Sequence, residues 1–231
     1  MQNLRRVRSF VLRAGRVTAG QQRALQELWP RLGIEFDAQP LDLDAVFGRS
    51  ARRCLEIGFG TGECIGSLAE AHPETDYLGI EVHRPGVGAL LLRAEKSRLA
   101  NLRVLCHDAV EVLAEQIPAA SLDEILVFFP DPWHKKRHHK RRLIEADFVH
   151  RLASVLRGGG VLRLATDWQA YAEQMVSVCN AEPLLVSLSA TGDYVPRPPL
   201  RPVTRFERRG ERLGHGVWDL AYSRRGAALD T

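Results

Sequence analysis

The chain has 231 residues, 45% hydrophobic and 26% charged, the size and balance of one α/β domain around a single core. No apolar run reaches the roughly 18 residues a membrane helix needs, which excludes a bilayer-spanning protein. Four scattered cysteines (Cys54, Cys64, Cys106, Cys179) with no CxxC pair exclude a disulfide framework and suit free thiols in a reducing, cytoplasmic setting.

The net charge of +4 hides a polarised molecule. Residues 1–26 carry +6, residues 134–142 carry +6 and residues 197–212 carry +4, which leaves −12 on the remaining 180 residues. One such patch is as readily a solvated charge run as a binding surface. Three of them on an acidic body point to a polyanionic partner, with nucleic acid first.

In chain order, residues 1–25 read as a basic arm that reaches for RNA. They lack the serine richness of a mitochondrial presequence and the apolar stretch of a secretion signal. A single domain is expected over 26–225, with a tail at 226–231 that takes no fixed structure. Thr18–Leu32 predicts a helix stopped near Gly33, followed by a loop to about Gly48. Short apolar runs then fall at Arg53–Ile57, Tyr77–Val82, Leu102–Cys106, Glu124–Phe129 and Val161–Ala165. Helical patterns separate them at Gly62–Ala71, Val87–Ala100, Ala109–Gln116 and Arg141–Leu156, and Tyr171–Asn180 adds another. Leu184–Leu188 and Val217–Tyr222 read as two more strands, flanking a long Pro/Arg-rich loop at Asp193–Gly216 whose charge favours a function. Strand and helix alternating at this spacing predict a doubly wound, mostly parallel, seven-stranded Rossmann-like sheet with helices on both faces.

The first strand runs into Leu55-Glu56-Ile57-Gly58-Phe59-Gly60-Thr61-Gly62-Glu63. Glycines at alternate positions let the backbone turn tightly and approach a ligand. A dinucleotide fingerprint would place a third glycine where Glu63 stands, and a carboxylate at a helix N-terminus repels a pyrophosphate. Glu56 suits a ligand with a cationic amino group instead. The spacing E-x-G-x-G-x-G resembles the cofactor loop of class I S-adenosylmethionine methyltransferases. Glu81 ends the second strand about 20 residues on, where a carboxylate can accept both ribose hydroxyls of a nucleoside. Asp108 follows the third strand and either bonds an adenine amine or caps the next helix.

The fourth strand leads into Phe128-Phe129-Pro130-Asp131-Pro132-Trp133 and then the run His134 to Arg142. Ligands of open α/β sheets sit beyond the carboxyl ends of the strands, so Asp131 is expected beside the cofactor, with Phe129 or Trp133 free to stack on a base. His134 and His138 are four apart, but the cations Lys135, Lys136 and Arg137 between them argue against a metal. The fifth strand ends in Thr166-Asp167-Trp168, again an acid and an aromatic.

With LEIGFGTG, GIEVHRPGVGALL, CHDAVEVL, FFPDPWHKKRHHKRR, ATDW, RPVTRFERRG and GHGVWDL, the chain resembles the bacterial tRNA (guanine-N7-)-methyltransferases from about Arg8 to Arg224. The resemblance implies that Glu56, Glu81, Asp108 and Asp131 line an S-adenosylmethionine site shaped by Gly58, Gly60 and Gly62, with Asp131 at the reaction centre and no metal. It implies that Lys135, Asp167, Thr204, Arg205, Phe206 and Glu207 contact a tRNA substrate. Arg137, His138, His139, Lys140, Arg141 and Arg142 would hold RNA phosphates. The family's target is guanosine 46 of the variable loop. No obligate protein partner is expected, the chain acting as a monomer or homodimer. Rival readings are a methyltransferase for an exocyclic amine, whose signature has adjacent prolines where Asp131 here lies between them, and a non-catalytic RNA-binding protein of the same fold.

Overall fold

The computed structural model describes residues 8–10, 15–199, 201 and 216–226. Thr18 opens α1 (Ala19–Glu27) with a capping box, its hydroxyl accepting from the Gln21 N–H while the Gln21 side chain accepts from the Thr18 N–H. The expected single helix to Leu32 is broken at Leu28. Pro30 cannot continue the backbone ladder and instead sits in the first turn of a separate α2 (Trp29–Leu32). Residues 19–25 of the expected arm are therefore helical, and they dock on the body: the Gln21 amide donates to Pro85 O at 3.0 Å and Arg23 pairs with Glu95 at 2.6 Å.

The loop expected between Gly33 and Gly48 holds two elements that propensity did not reveal, the two-residue β1 (Gly33–Ile34) and α3 (Leu43–Phe47), which Asp42 caps. The alternating pattern then runs β2 (Arg52–Ile57), α4 (Glu63–Ala71), β3 (Thr75–Ile80), α5 (Arg84–Lys96), β4 (Leu102–Leu105), α6 (Ala109–Glu115) and β5 (Leu122–Phe128). A 3-10 helix (Lys136–Arg141) precedes α7 (Ala146–Val155), β6 (Leu156–Thr166), α8 (Gln169–Ala181), β7 (Leu185–Ser187) and β8 (Trp218–Arg224). The helix expected from Arg141 starts five residues later, because Arg142 is extended and Glu145 is the N-cap of α7.

The described strands form one sheet in the order β1-β4-β3-β2-β5-β6-β8-β7. This is the doubly wound, mostly parallel arrangement, with β8 antiparallel to both neighbours. Eight strands stand where seven were expected, the extra one being β1, which adds Gly33 and Ile34 beside Val104 and Leu105. β2 is buried on both faces, as a parallel strand between helical layers must be. Its alternate residues feed two cores. Leu55 and Ile57 join Leu78, Ile80 and the α6–α8 side, while Cys54 joins Tyr77, Leu126 and the α4–α5 side. Each fully buried Leu or Ile in these layers contributes about 1.5–3 kcal/mol relative to exposure, so the sheet is a rigid base for whatever its loops carry. The chain leaves β2 toward β3 on one side and takes up β5 on the other, which makes the gap between the ends of β2 and β5 the switch point where open α/β sheets bind ligands.

Candidate active site

A cavity of about 430 Å³ opens at that switch point. Its walls are the carboxyl ends of four neighbouring strands: Ile57 and Gly58 after β2, Ile80 to His83 after β3, His107 to Ala109 after β4, and Phe128 to Asp131 after β5.

The turn after β2 depends on its glycines. Gly58 and Gly60 have φ of 72° and 58°, the left-handed region that favours glycine, and a Cβ on either would meet nothing within 4 Å. Their bare backbones therefore face open space that a ligand can enter. Gly62 answers a different need: with φ 75°, it begins α4, and a Cβ there would lie 2.6 Å from Leu90 of α5. Gly58 lines the cavity, whereas Gly60 and Gly62 shape the turn behind it.

Glu81 ties this turn to the next strand. Its carboxylate accepts three backbone N–H groups, from Gly60 at 2.9 Å, Val82 at 2.7 Å and His83 at 2.9 Å. A carboxylate has about four acceptor positions, so capacity remains for a diol that reaches the cavity. Asp108 lines the same wall and accepts from Val110 N–H at 3.0 Å as the N-cap of α6. It is thus a helix cap that also faces the cavity, and the two readings of its sequence position are compatible.

Glu56 is placed differently. It does not line the cavity but lies behind the glycine turn on the α4 side, buried to 4% exposure, with the Ile65 N–H and the Cys64 thiol nearby. Burial is the main reason its carboxyl is pushed up to about 8, with the nearby Glu81 charge adding to the shift. Its Oε2 has no hydrogen-bond partner. A buried carboxylate oxygen left so is costly, and either a proton or a cationic group brought by a ligand relieves it. That orphaned oxygen and the open space over Gly58 and Gly60 fit a nucleoside ligand that carries an ammonium.

The opposite wall is a strained turn. Phe129 and Trp133 have φ of 53° and 46°, a region that bulky L-residues rarely adopt, at about 1–2 kcal/mol each. Such outliers persist where surrounding contacts over-determine them, and they cluster at functional sites. The contacts here are specific. Phe129 N–H donates to Ala165 O at 2.8 Å, Arg142 Nε donates to Pro132 O at 2.9 Å, and Trp133 Nε1 donates to Ser9 O at 2.9 Å. Between these anchors Asp131 is exposed and lines the cavity.

A family model described as "Putative methyltransferase" matches residues 50–220. The tRNA (guanine-N(7)-)-methyltransferase of Sodalis glossinidius is 59% identical over 221 residues, 96% of this chain and 92% of that protein. The enzyme of the same name from Photorhabdus laumondii is 56% identical, with the same shares covered. The chain belongs to the tRNA (guanine-N(7)-)-methyltransferase family. Among solved structures, a 16S rRNA (adenine(1408)-N(1))-methyltransferase from Catenulisporales acidiphilia, determined with its cosubstrate SAM, superposes with a TM-score of 0.55 at 18% identity, covering 86% of this chain and 96% of that one. At that identity the likeness shows the fold alone.

In this methyltransferase the basic segment leaves the cavity lip directly from Trp133. Lys136–Arg141 form the 3-10 helix, started by Lys135 and closed by Arg142 N–H to His139 O at 2.8 Å. Three residues per turn spread its cations over several directions instead of one face. Lys135, Lys136, Arg137 and Lys140 are exposed. Arg141 lies with its guanidinium 4.8 Å above the Trp133 ring, and His138 meets that ring edge-on at 5.9 Å. Desolvation, and then the surrounding cations, hold His138 below the usual imidazole value. His134 turns away to pack on Trp168, 4.2 Å between ring centroids.

Arg142 is placed differently from its neighbours in the run. It is 4% exposed, donates to Pro132 O and to the Gln174 side-chain oxygen, and lies 4.7 Å over the Tyr171 ring. Its donors face the protein, so it braces the turn against α8. Asp167 follows β6, half-buried and outside the cavity wall; Lys135, exposed at the start of the 3-10 helix, also lies outside it. Thr204, Arg205, Phe206 and Glu207 lie outside the described residues. Sequence reasoning missed Ser9 and Phe10, which line the cavity, and His107, which lines it while stacked on Phe36 at 3.8 Å with an interplanar angle of 7°. An isolated aromatic in a polar loop was the available signal for Phe36.

Proposed function

We propose that the chain transfers the methyl group of S-adenosylmethionine to N7 of a guanine in tRNA, guanosine 46 of the variable loop. The observation that carries this reading is the placement of Asp131: a carboxylate on a strained turn, on the same cavity as Glu81 and Asp108, with a cationic helix leading away from it. The relatives' shared name supports the choice of tRNA and of N7.

S-adenosylmethionine supplies an electrophilic methyl on a sulfonium. The acceptor N7 already has a lone pair, so the protein needs no base to remove a proton before transfer. Its task is alignment, which can be worth up to roughly 7–11 kcal/mol of barrier. Glu81 would hold the ribose hydroxyls, Asp108 the adenine edge, and Glu56, behind the glycine turn, the amino group. Asp131 meets the acceptor ring, where positive charge appears as the methyl arrives, and a carboxylate already in place stabilises that charge without reorganising. Lys136, Arg137, Lys140 and Arg141 take backbone phosphates. The setting proposed for this reaction is the cytoplasm.

Transfer of labelled methyl to unmodified tRNA, with DNA and protein as controls, tests the reading. Borohydride and aniline should cleave the product at position 46, and a transcript with adenosine there should stay unlabelled. Label at an aniline-resistant position, or on the controls, would overturn it.

A further inference from the structure

Beneath the Asp131 turn lies a buried ion pair that the chemistry above does not use. Arg201 is fully buried, and its Nε and an NH2 group donate to the two carboxylate oxygens of Asp219, both at 2.8 Å. The guanidinium carbon is 5.9 Å from the centre of the Phe128 ring and 5.3 Å from that of Phe129. Asp219 sits on β8 directly opposite Ala165 of β6, and Ala165 O is the acceptor for the Phe129 N–H. Phe129 is therefore fixed twice, through its backbone by β6 and through its ring by a cation that β8 orients. Arg201 is fixed in turn, since Arg197 donates to its carbonyl oxygen at 2.8 and 3.1 Å.

We propose that Arg201 and Asp219 are a positioning pair for Asp131: the planar guanidinium, oriented by the carboxylate, holds Phe129 in its left-handed conformation and so sets where the Asp131 carboxyl stands. A planar fork that pairs bidentately and stacks on rings is a property of arginine that lysine lacks. A strained residue persists only where its neighbours over-determine it, and removal of this support lets the turn relax toward ordinary φ, two residues before the reacting carboxylate. Neither residue lines the cavity itself; Arg201 packs behind its wall, against the Phe128 and Phe129 rings.

The kinetic consequence rests on the methyl-transfer reading; the structural one does not. Arg201→Lys in the full chain keeps the charge and loses the fork. Hydrogen exchange of the Phe129 amide should quicken about tenfold while the amides of β2 keep their protection. Turnover on tRNA should fall roughly 10–100-fold, the size of loss that a small misplacement causes, with S-adenosylmethionine affinity by calorimetry within about threefold of the parent, as for distant independent sites. Because a lone buried charge can unfold the protein, the double variant Arg201→Met/Asp219→Leu removes both charges together. It should fold and show the same split between turnover and cofactor affinity. Unchanged Phe129 exchange in Arg201→Lys overturns the proposal. So does a loss of protection shared equally by β2, the mark of a merely structural pair. If the parent itself transfers no methyl to tRNA, the functional reading fails and the exchange comparison still decides the pair.

Discussion

The two walls of the cavity are built by different means. After β2, β3 and β4, the acids are buried and the backbone next to them organises them: Glu81 accepts three N–H groups from its own and the neighbouring turn, and Asp108 caps the helix that follows it. After β5, Asp131 is exposed, and the turn that carries it is held from outside, by Ser9 and Ala165 far away in sequence and, through Pro132, by Arg142 ten residues on. The first wall is set once the sheet has formed. The second depends on an N-terminal segment, a 3-10 helix and the β6–β8 edge arriving together, and it is strained as well. A site for a small ligand of constant shape can be local and satisfied, whereas a site for a base that must be brought in from a large nucleic acid stays open and is braced from several sides.

Loss of Asp131 separates the walls most sharply. Asp131→Ala should lower turnover on tRNA by roughly 10²–10³-fold, the usual effect of removing one preorganised electrostatic group, while S-adenosylmethionine and tRNA still bind. Single-turnover transfer beside two binding titrations measures this. Turnover near the parent value would move the reaction centre elsewhere, and equal loss of cofactor affinity would show that the walls are not independent.

Glu56 sharpens the same comparison from the other side. Glu56→Gln should weaken S-adenosylmethionine roughly 10–100-fold, the value of a hydrogen bond to a charged group, with little effect on tRNA affinity. The pH dependence has a definite sign. In the folded chain the carboxyl keeps its proton to about pH 8, against about 4.5 ordinarily. Between those values the folded state binds more protons than the unfolded one, so stability falls as pH rises, by at most about 1.4 kcal/mol per pH unit. Urea titrations at several pH values should show the Glu56→Gln variant lacking that decline; parallel curves would contradict it. Calorimetry at neutral pH in buffers of different ionisation enthalpy should also detect about one proton released as the ammonium binds.

The first wall was legible in the sequence because each of its signals is local. A glycine at every second position, an acid at a strand end and an Asp before a helix each owe their meaning to neighbours within a few residues. Asp131 was legible too, since prolines on either side mark a rigid turn. What brings that turn into shape was not. The left-handed backbone at Phe129 and Trp133 has no signature in residue type, and the partners that hold it lie 124 residues away at Ser9 and 18 residues apart at Arg201 and Asp219. Charge alone could not tell Arg142 from Arg141, because burial against Tyr171 and Gln174 depends on where α8 packs. In the fold, the alternation of β2 to β6 was readable, while β1 exists only because β4 offers it a parallel edge.

The smallest expected effects come from the basic helix, where adjacent arginines should behave as opposites. Arg142→Gln removes a nearly buried guanidinium with several acceptors around it and should cost about 2–3 kcal/mol of stability, seen as a lower midpoint of thermal unfolding. It should leave the slope of log affinity for tRNA against log salt unchanged. Lys136→Gln, Arg137→Gln and Lys140→Gln should do the reverse, since each side chain is exposed and surface changes of this kind are usually within about 0.5 kcal/mol. For every RNA phosphate left without its cation, the salt slope should flatten by roughly 0.7–0.9. A full salt slope in the triple variant would take RNA off the 3-10 helix and leave the exposed cations as a solvated run, while a flattened slope for Arg142→Gln would mean that its guanidinium leaves the α8 contact when RNA binds.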